Sequence, residues 1–198
     1  MTSYVNICYI TDNNYVQHTL VSIASLVSTK YPDSKYRIIV ICNNVDARKK
    51  KMFMAFQQEN VIVDLLDYDN TTYSKKSYEL SSYISSATYI RLYLPSILHD
   101  IDKVLYLDGD TIIQKDLTSL YHTDIESNSV AGVLDYGVVI CSHAWSEMDY
   151  IRNTLSNYAN TYINAGVLLI NLKYLRNNNA EEKFHSLYLN RTDFRYAD

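Results

Sequence analysis

Glycine is scarce in this chain. Only Gly109, Gly132, Gly137 and Gly166 occur among 198 residues, so neither a P-loop nor a G-x-G-x-x-G dinucleotide fingerprint can be written, and nucleotide binding would need another device. Cysteine is scarce too. Cys8, Cys42 and Cys141 are odd in number, widely separated and set in apolar surroundings, which suits buried free thiols in a reducing compartment better than disulfides or a metal knuckle. No apolar run approaches the roughly 20 residues of a membrane-spanning helix, and the opening "MTSYVNICYITD" has neither a basic n-region nor a signal core. The cytoplasm is the compartment these absences predict. Excess basic charge is also missing. With 18 Lys and Arg against 22 Asp and Glu, a formal net charge of -4 and both signs interspersed, the chain offers nucleic acid no electrostatic footprint.

Apolar residues are plentiful, at 47% of the chain, without repeats or low-complexity tracts. That is enough for one substantial core, and a single domain over residues 1–198 is expected. The 20 tyrosines are spread throughout, and since each serves equally as a core body with a polar tip or as a sugar-stacking ring, their number assigns no function.

Continuous apolar runs at 4–11, 36–42 and 61–66 read as strands, followed by further candidates beginning at 103, at 129–135 and at 164–172. Between them lie helical patterns. Val16, Leu20, Ile23 and Val27 share one helical face, residues 46–59 read as helix, and Tyr83, Ala87, Ile90 and Leu94 share a face of a helix over 81–95 that Pro95 should end. "KYLRNNNAEEKFHSLYLNR" closes with helical spacing. Short buried strands alternating with helices predict an α/β fold, a mostly parallel sheet with helices on both faces. The polar, aperiodic stretch "DYDNTTYSKKS" at 67–77 reads as a lid over a site.

The segment "KVLYLDGDTII" at 103–113 carries the chemistry. In an extended backbone Asp108 and Asp110 present both carboxylates to one face, with Gly109 leaving room beside them. Parallel sheets bind ligands beyond the carboxyl ends of their strands. Paired carboxylates repel unless neutralised, and a hard divalent cation, Mg²⁺ or Mn²⁺, suits their oxygens and would recruit phosphate. An ordinary Asp-Gly-Asp turn is the alternative. An EF-hand loop is excluded by Ile112 and Ile113. A haloacid-dehalogenase-like phosphatase also ends a strand in D-x-D, but Thr111 and Ile112 fit its continuation poorly and too long a segment precedes the motif.

Four segments in order, "YITDNNYVQHTLVSIASL", "SSATYIRLYLPSIL", "DKVLYLDGDTIIQKDLTSLY" and "YINAGVLLINL", resemble glycosyltransferase family 8, the retaining nucleotide-sugar transferases. The resemblance covers nearly the whole chain. It implies a GT-A, Rossmann-like nucleotide-diphospho-sugar transferase fold, a divalent cation (Mn²⁺ or Mg²⁺), UDP-glucose or UDP-galactose as donor, and a hydroxyl acceptor on a glycan, glycolipid or glycoprotein. By the same resemblance Asp12, Asn14 and Tyr15 contact uracil and ribose, with the Tyr15 ring stacked on the base. Arg91 contacts the diphosphate or sugar, and Asp108 and Asp110 hold the metal and ribose. Asn164, Ala165 and Gly166 line the sugar pocket, while Asp135 and Asp198 are the candidate catalytic carboxylates. Each also has a structural explanation: Asp12 as a helix cap, Arg91 as an ion-pair partner, Asp135 as a strand-end cap, Asn164–Gly166 as a kinked core strand.

Asp198 aligns with the first acid of a family D-Q-D segment whose remainder is missing, as is a later H-x-x-G-x-x-K-P-W segment that would supply a third metal ligand. The resemblance thus implies that the C-terminal part of the family domain is absent. No histidine is assigned to the metal. Two other functions stand beside hexosyl transfer, a phosphatase-like hydrolase and a UDP-sugar-binding domain without turnover. The expected place of work is the cytoplasm, with peripheral attachment at the inner membrane face.

Overall fold

The computed structural model describes residues 4–68, 87–137 and 161–190. The apolar runs form one six-stranded sheet from β1 (Val5–Asp12), β2 (Tyr36–Asn43), β3 (Val61–Asp67), β4 (Lys103–Leu107), β5 (Val130–Leu134) and β6 (Ile163–Asn171), in the order β3-β2-β1-β4-β6-β5. The pairs β1–β2, β2–β3 and β1–β4 are parallel, and β6 runs antiparallel to both β4 and β5. The sheet is therefore parallel apart from the reversed β6.

Runs are continuous rather than alternating because both faces are covered. Ile7 and Tyr9 of β1 enter one core with Ile38, Leu105 and Leu169, while Cys8 and Ile10 enter the other with Ile39, Tyr106 and Leu168. Each fully buried Ile or Leu contributes roughly 1.5–3 kcal/mol. The first core is closed by α1 (Val16–Thr29), α2 (Ala47–Phe53) with its 3₁₀ extension Met54–Phe56, and α5 (Thr118–Tyr121). Across the sheet lie α3 (Ala87–Ile90), a 3₁₀ turn Arg91–Tyr93, α4 (Leu94–Ile97) and α6 (Leu172–Asn177), with α7 (Ala180–Asn190) following. Cys8 and Cys42 are buried free thiols, one in each core. Burial pushes the Cys42 thiol up to about 11 and that of Cys8 higher. Among the described residues no helix is long and apolar enough to cross a membrane.

Three expectations change. Pro95 lies in the first turn of α4 rather than at a helix end, where its missing N–H has no helical partner to lose. The described part of the expected 81–95 helix is accordingly α3, a 3₁₀ turn and α4. The helix expected over 46–59 stops at Phe56, its last turn tightened to 3₁₀. The buried face of α1 consists of Val16, Thr19, Ser22, Ile23 and Leu26, with Leu20 and Val27 only partly covered. The expected lid, apart from its first two residues, and Cys141 and Asp198 lie outside the described residues.

Candidate functional site

Because β6 is reversed, its first residues lie at the edge where β1, β4 and β5 end, with Leu107 opposite Val167 and Leu134 opposite Ile163. That edge carries the residues singled out above. At the end of β1, Asp12 Oδ1 accepts the N–H groups of Asn14 (2.9 Å) and Tyr15 (3.0 Å), while the Asp12 carbonyl accepts the Tyr15 N–H at 3.1 Å. Asp12 thus closes the turn that launches α1. It is not the helix cap expected of it, since the N-cap of α1 is Tyr15, which has no side-chain cap bond. Asn13 ties the turn to α2: its Oδ1 accepts the Asp46 N–H at 3.2 Å and its carbonyl accepts Lys49 Nζ at 2.7 Å. Asn14 and Tyr15 are exposed, and the Tyr15 ring stacks on His18 with centroids 4.6 Å apart.

β4 ends at Leu107, so Asp108 and Asp110 occupy a turn and not an extended strand. The turn is closed by the Thr111 N–H and Oγ1, which donate to the Asp108 carbonyl at 3.2 and 2.8 Å. One face of α1 holds it in place. Tyr15 donates its hydroxyl to Asp110 Oδ2 at 3.0 Å, Ser22 Oγ bonds Thr111 Oγ1 at 2.9 Å, and Ser25 Oγ accepts the Ile113 N–H at 2.9 Å. Residues three or four apart on a helix share a face, so Tyr15, Thr19, Ser22 and Ser25 form a polar seam against the descending chain. Gly109 does not open space beside the acids as expected. A Cβ there would meet Thr19 Oγ1 at 2.5 Å, so glycine is needed for close approach.

Asp108 is gripped from the other side. Its N–H donates to the Gly166 carbonyl at 2.8 Å, and its Oδ1 accepts the Tyr106 hydroxyl at 2.6 Å. A Cβ on Gly166 would lie 3.0 Å from Asp108 Oδ2, so the bare glycine leaves room at that oxygen. Between Gly132 and Leu134 the β5–β6 register shifts, and the bulge turns Asn164–Gly166 toward the acids. Asn164 then works in two directions. Its Nδ2 donates to Asp135 Oδ2 at 3.3 Å and its Oδ1 accepts the Gly166 N–H at 2.9 Å. Arg91 donates from Nη1 to the Ala165 carbonyl at 2.8 Å, and its guanidinium carbon sits 4.7 Å from the centroid of the Tyr106 ring.

The electrostatics follow from this geometry. The Tyr15 phenol is raised by its hydrogen bond to Asp110, then by burial, then by the charges of Asp110, Asp108 and Asp12. Three carboxylates act on one hydroxyl. The Tyr106 phenol is pushed well up by burial and by Asp108, with Arg91 opposing.

The structure therefore brings Tyr15 to Asp110, with Asp12 and Asn14 in the same turn, and brings Gly166 to Asp108, with Ala165 and Asn164 beside it, Arg91 joined through the Ala165 carbonyl and the Tyr106 ring, and Asp135 joined through Asn164. Tyr106 was missed. Its signal was its place in the apolar run, two residues before Asp108. Among the described residues no group of three or more His, Cys, Asp or Glu could hold a metal ion. The Asp108–Asp110 pair offers hard oxygens, and the glycine-sized gap beside Asp108 Oδ2 suits a cation whose remaining positions are filled by water and phosphate.

The sequence profile of Glycosyl transferase family 8 matches residues 6–198. The chain belongs to glycosyl transferase family 8. It is 26% identical over 183 residues to a putative glycosyltransferase of Haemophilus influenzae, covering 90% of this chain and 52% of that protein. Against the lipopolysaccharide 1,3-galactosyltransferase of Salmonella typhimurium it is 26% identical over 182 residues, covering 90% and 51%. The chain thus spans about half the length of these curated family members. Among solved structures, an active-site mutant of LgtC superposes with a TM-score of 0.76 at 25% identity, over 98% of this chain and 68% of that one. The galactosyltransferase LgtC in complex with donor and acceptor sugar analogs gives 0.75 at 24% identity, over 96% and 67%. The sheet has the GT-A fold of these glycosyltransferase neighbours.

Proposed function

We propose that this chain forms a single nucleotide-sugar-binding domain of a retaining hexosyltransferase, moving glucose or galactose from a UDP-sugar to a hydroxyl of a glycan, glycolipid or glycoprotein. The observation that supports it most is the shared edge, where the Asp12–Tyr15 turn touches Asp110 through a hydroxyl bond and β6 touches Asp108 through a backbone bond. Tyr15 would stack on uracil, with Asp12 and Asn14 reading base and ribose. Asp108 and Asp110 would hold Mn²⁺ or Mg²⁺. When bound, that cation supplies Lewis-acid charge to the departing diphosphate.

Arg91 would add its fixed charge at the diphosphate or sugar, in a setting where preorganised charge stabilises the transition state most. Asn164, Ala165 and Gly166 would line the sugar pocket, and Asp135 would orient the sugar or carry the catalytic carboxylate together with Asp198. In the reaction the anomeric C–O bond to UDP breaks with its electron pair leaving on UDP. A new C–O bond to the acceptor forms on the same face, and the hydroxyl proton passes to UDP or solvent. The buried thiols favour a reducing cytoplasm, with acceptors at the inner membrane face.

The test is UDP release from UDP-glucose and UDP-galactose with Mn²⁺, with and without EDTA. Metal-dependent release from one donor is expected. Calorimetric UDP binding without release would reduce the chain to a binding domain, and phosphate release from phosphomonoesters without UDP binding would overturn the proposal.

A further inference from the structure

Tyr106 is 3% exposed, packed in the core with Cys8, Ile90 and Leu168. A tyrosine so buried must place its hydroxyl on a partner, and the partner is Asp108 Oδ1 at 2.6 Å. The same ring carries the Arg91 guanidinium 4.7 Å from its centroid, and Arg91 reaches on to the Ala165 carbonyl at 2.8 Å. One core side chain is thus bonded to an acid and stacked against a cation. A carboxylate rotamer is fixed when one oxygen is committed to a short O–H···O⁻ bond from a rigid donor. The other oxygen, Oδ2, lies where Gly166 lacks a Cβ that would approach to 3.0 Å.

We propose that Tyr106 is a positioning residue of the donor site: its hydroxyl commits Asp108 Oδ1 to the protein and aims Oδ2, beside Gly166, at the cation, while its ring supports Arg91 where it reaches the Ala165 carbonyl. The inference rests on the nucleotide-sugar reading above and adds to it which oxygen of Asp108 serves the cation and what fixes it. Outer partners of metal ligands act this way, and their loss weakens metal binding about 10- to 100-fold.

The experiment is titration of the full chain with Mn²⁺ in the presence of UDP, reading free Mn²⁺ by electron paramagnetic resonance, with melting temperatures measured alongside. Tyr106→Phe is expected to weaken Mn²⁺ binding about tenfold or more while metal-free UDP affinity changes less than about twofold. In an Asp108→Asn background the same change is expected to do nothing further. Tyr121→Phe removes another buried phenol bond, to the Lys103 carbonyl at the far end of β4, and should leave Mn²⁺ binding unchanged. Gly166→Ala crowds Oδ2 with Tyr106 in place and should also weaken Mn²⁺. Unchanged Mn²⁺ affinity in Tyr106→Phe or Gly166→Ala, or an equal loss in Tyr121→Phe, overturns the inference alone. A wild-type chain that binds no Mn²⁺ with UDP overturns the donor-site reading and this inference with it.

Discussion

The Tyr15 hydroxyl donates to Asp110 Oδ2 across 3.0 Å, joining residues 95 positions apart in the chain. The bond couples the ring offered to a nucleobase to one of the two acids offered to a cation. Ring and hydroxyl can be separated by substitution. Tyr15→Phe keeps the ring, so metal-free UDP affinity should hold within about twofold, whereas Tyr15→Ala should lose the roughly 1–3 kcal/mol of base stacking, about 5- to 150-fold. Isothermal calorimetry measures both. Equal losses in the two variants would remove the ring from the binding site.

Arg91→Lys should behave as a severe change despite keeping the charge. The guanidinium lies against the Tyr106 ring and donates to Ala165 at once, and an ammonium cannot reproduce a planar fork. A hydrogen bond to a charged group is worth about 1.5–3 kcal/mol, so kcat/KM for the donor should fall by roughly 10- to 150-fold. Steady-state kinetics with the UDP-sugar checks this, and a variant within threefold of wild type would deny Arg91 a place at the donor.

Gly109→Ala should loosen the acid turn from α1. The new Cβ would press on Thr19 Oγ1, which is held by Thr11 Oγ1 at 3.0 Å and the Tyr15 carbonyl at 3.1 Å. Overpacking of this kind costs about 1–3 kcal/mol. Urea unfolding should show that loss, and adding Thr19→Ala should restore part of it. If the double variant is no better than the single, the clash lies elsewhere.

Asp116 predicts the acid limb of stability. It is 6% exposed and accepts the Tyr31 N–H, the Tyr36 hydroxyl and the Thr118 N–H, each at 2.8 Å. Burial alone would raise its pKa, but hydrogen bonds from Thr118, Tyr31 and Ser34 prevail and hold it well below the usual carboxylate range. A depressed folded pKa gives stability that is complete above the unfolded value of about 3.9 and fades as pH falls toward the folded one. Asp116→Asn should therefore be less stable at pH 7 by about 1.5–3 kcal/mol, with a flatter stability curve below about pH 4. Urea midpoints from pH 3 to 7 provide the measurement. Parallel curves would clear Asp116 of the effect.

Strand positions were legible because burial on both faces leaves long apolar runs such as "YRIIVIC". Direction was not. Periodicity carries no sense of up or down, so "NAGVLLINL" read as one more strand, and only the fold shows it reversed between β4 and β5. Pro95 was misplaced because proline marks helix starts as well as stops.

Within the site, Asp108 and Asp110 could be read from their place after an apolar run. The turn at Asp12, the guanidinium of Arg91 and the Asn164–Gly166 segment came from the family resemblance; in the structure the turn reaches Asp110 through Tyr15, Gly166 reaches Asp108, and Arg91 lies on the Tyr106 ring and the Ala165 carbonyl. The seam of Thr19, Ser22 and Ser25 went unread, because hydroxyls on a helix pattern as solvent-facing until a second polar chain is known to lie against them. Asp116 escaped for the same reason: an isolated acid reads as hydrated until its three donors, from Tyr31, Tyr36 and Thr118, are seen.

The reversal of β6 governs assembly during synthesis. Four of the five other strands emerge from the ribosome before residue 110, yet until β6 follows, β4 has an open hydrogen-bonding flank and β5 has no neighbour, since β6 sits between them. Nascent chains ending short of Gly166 would carry Asp108 without its β6 partner while Asp110 already faces Tyr15, so the unpaired β4 flank is the surface most in need of shielding while translation continues.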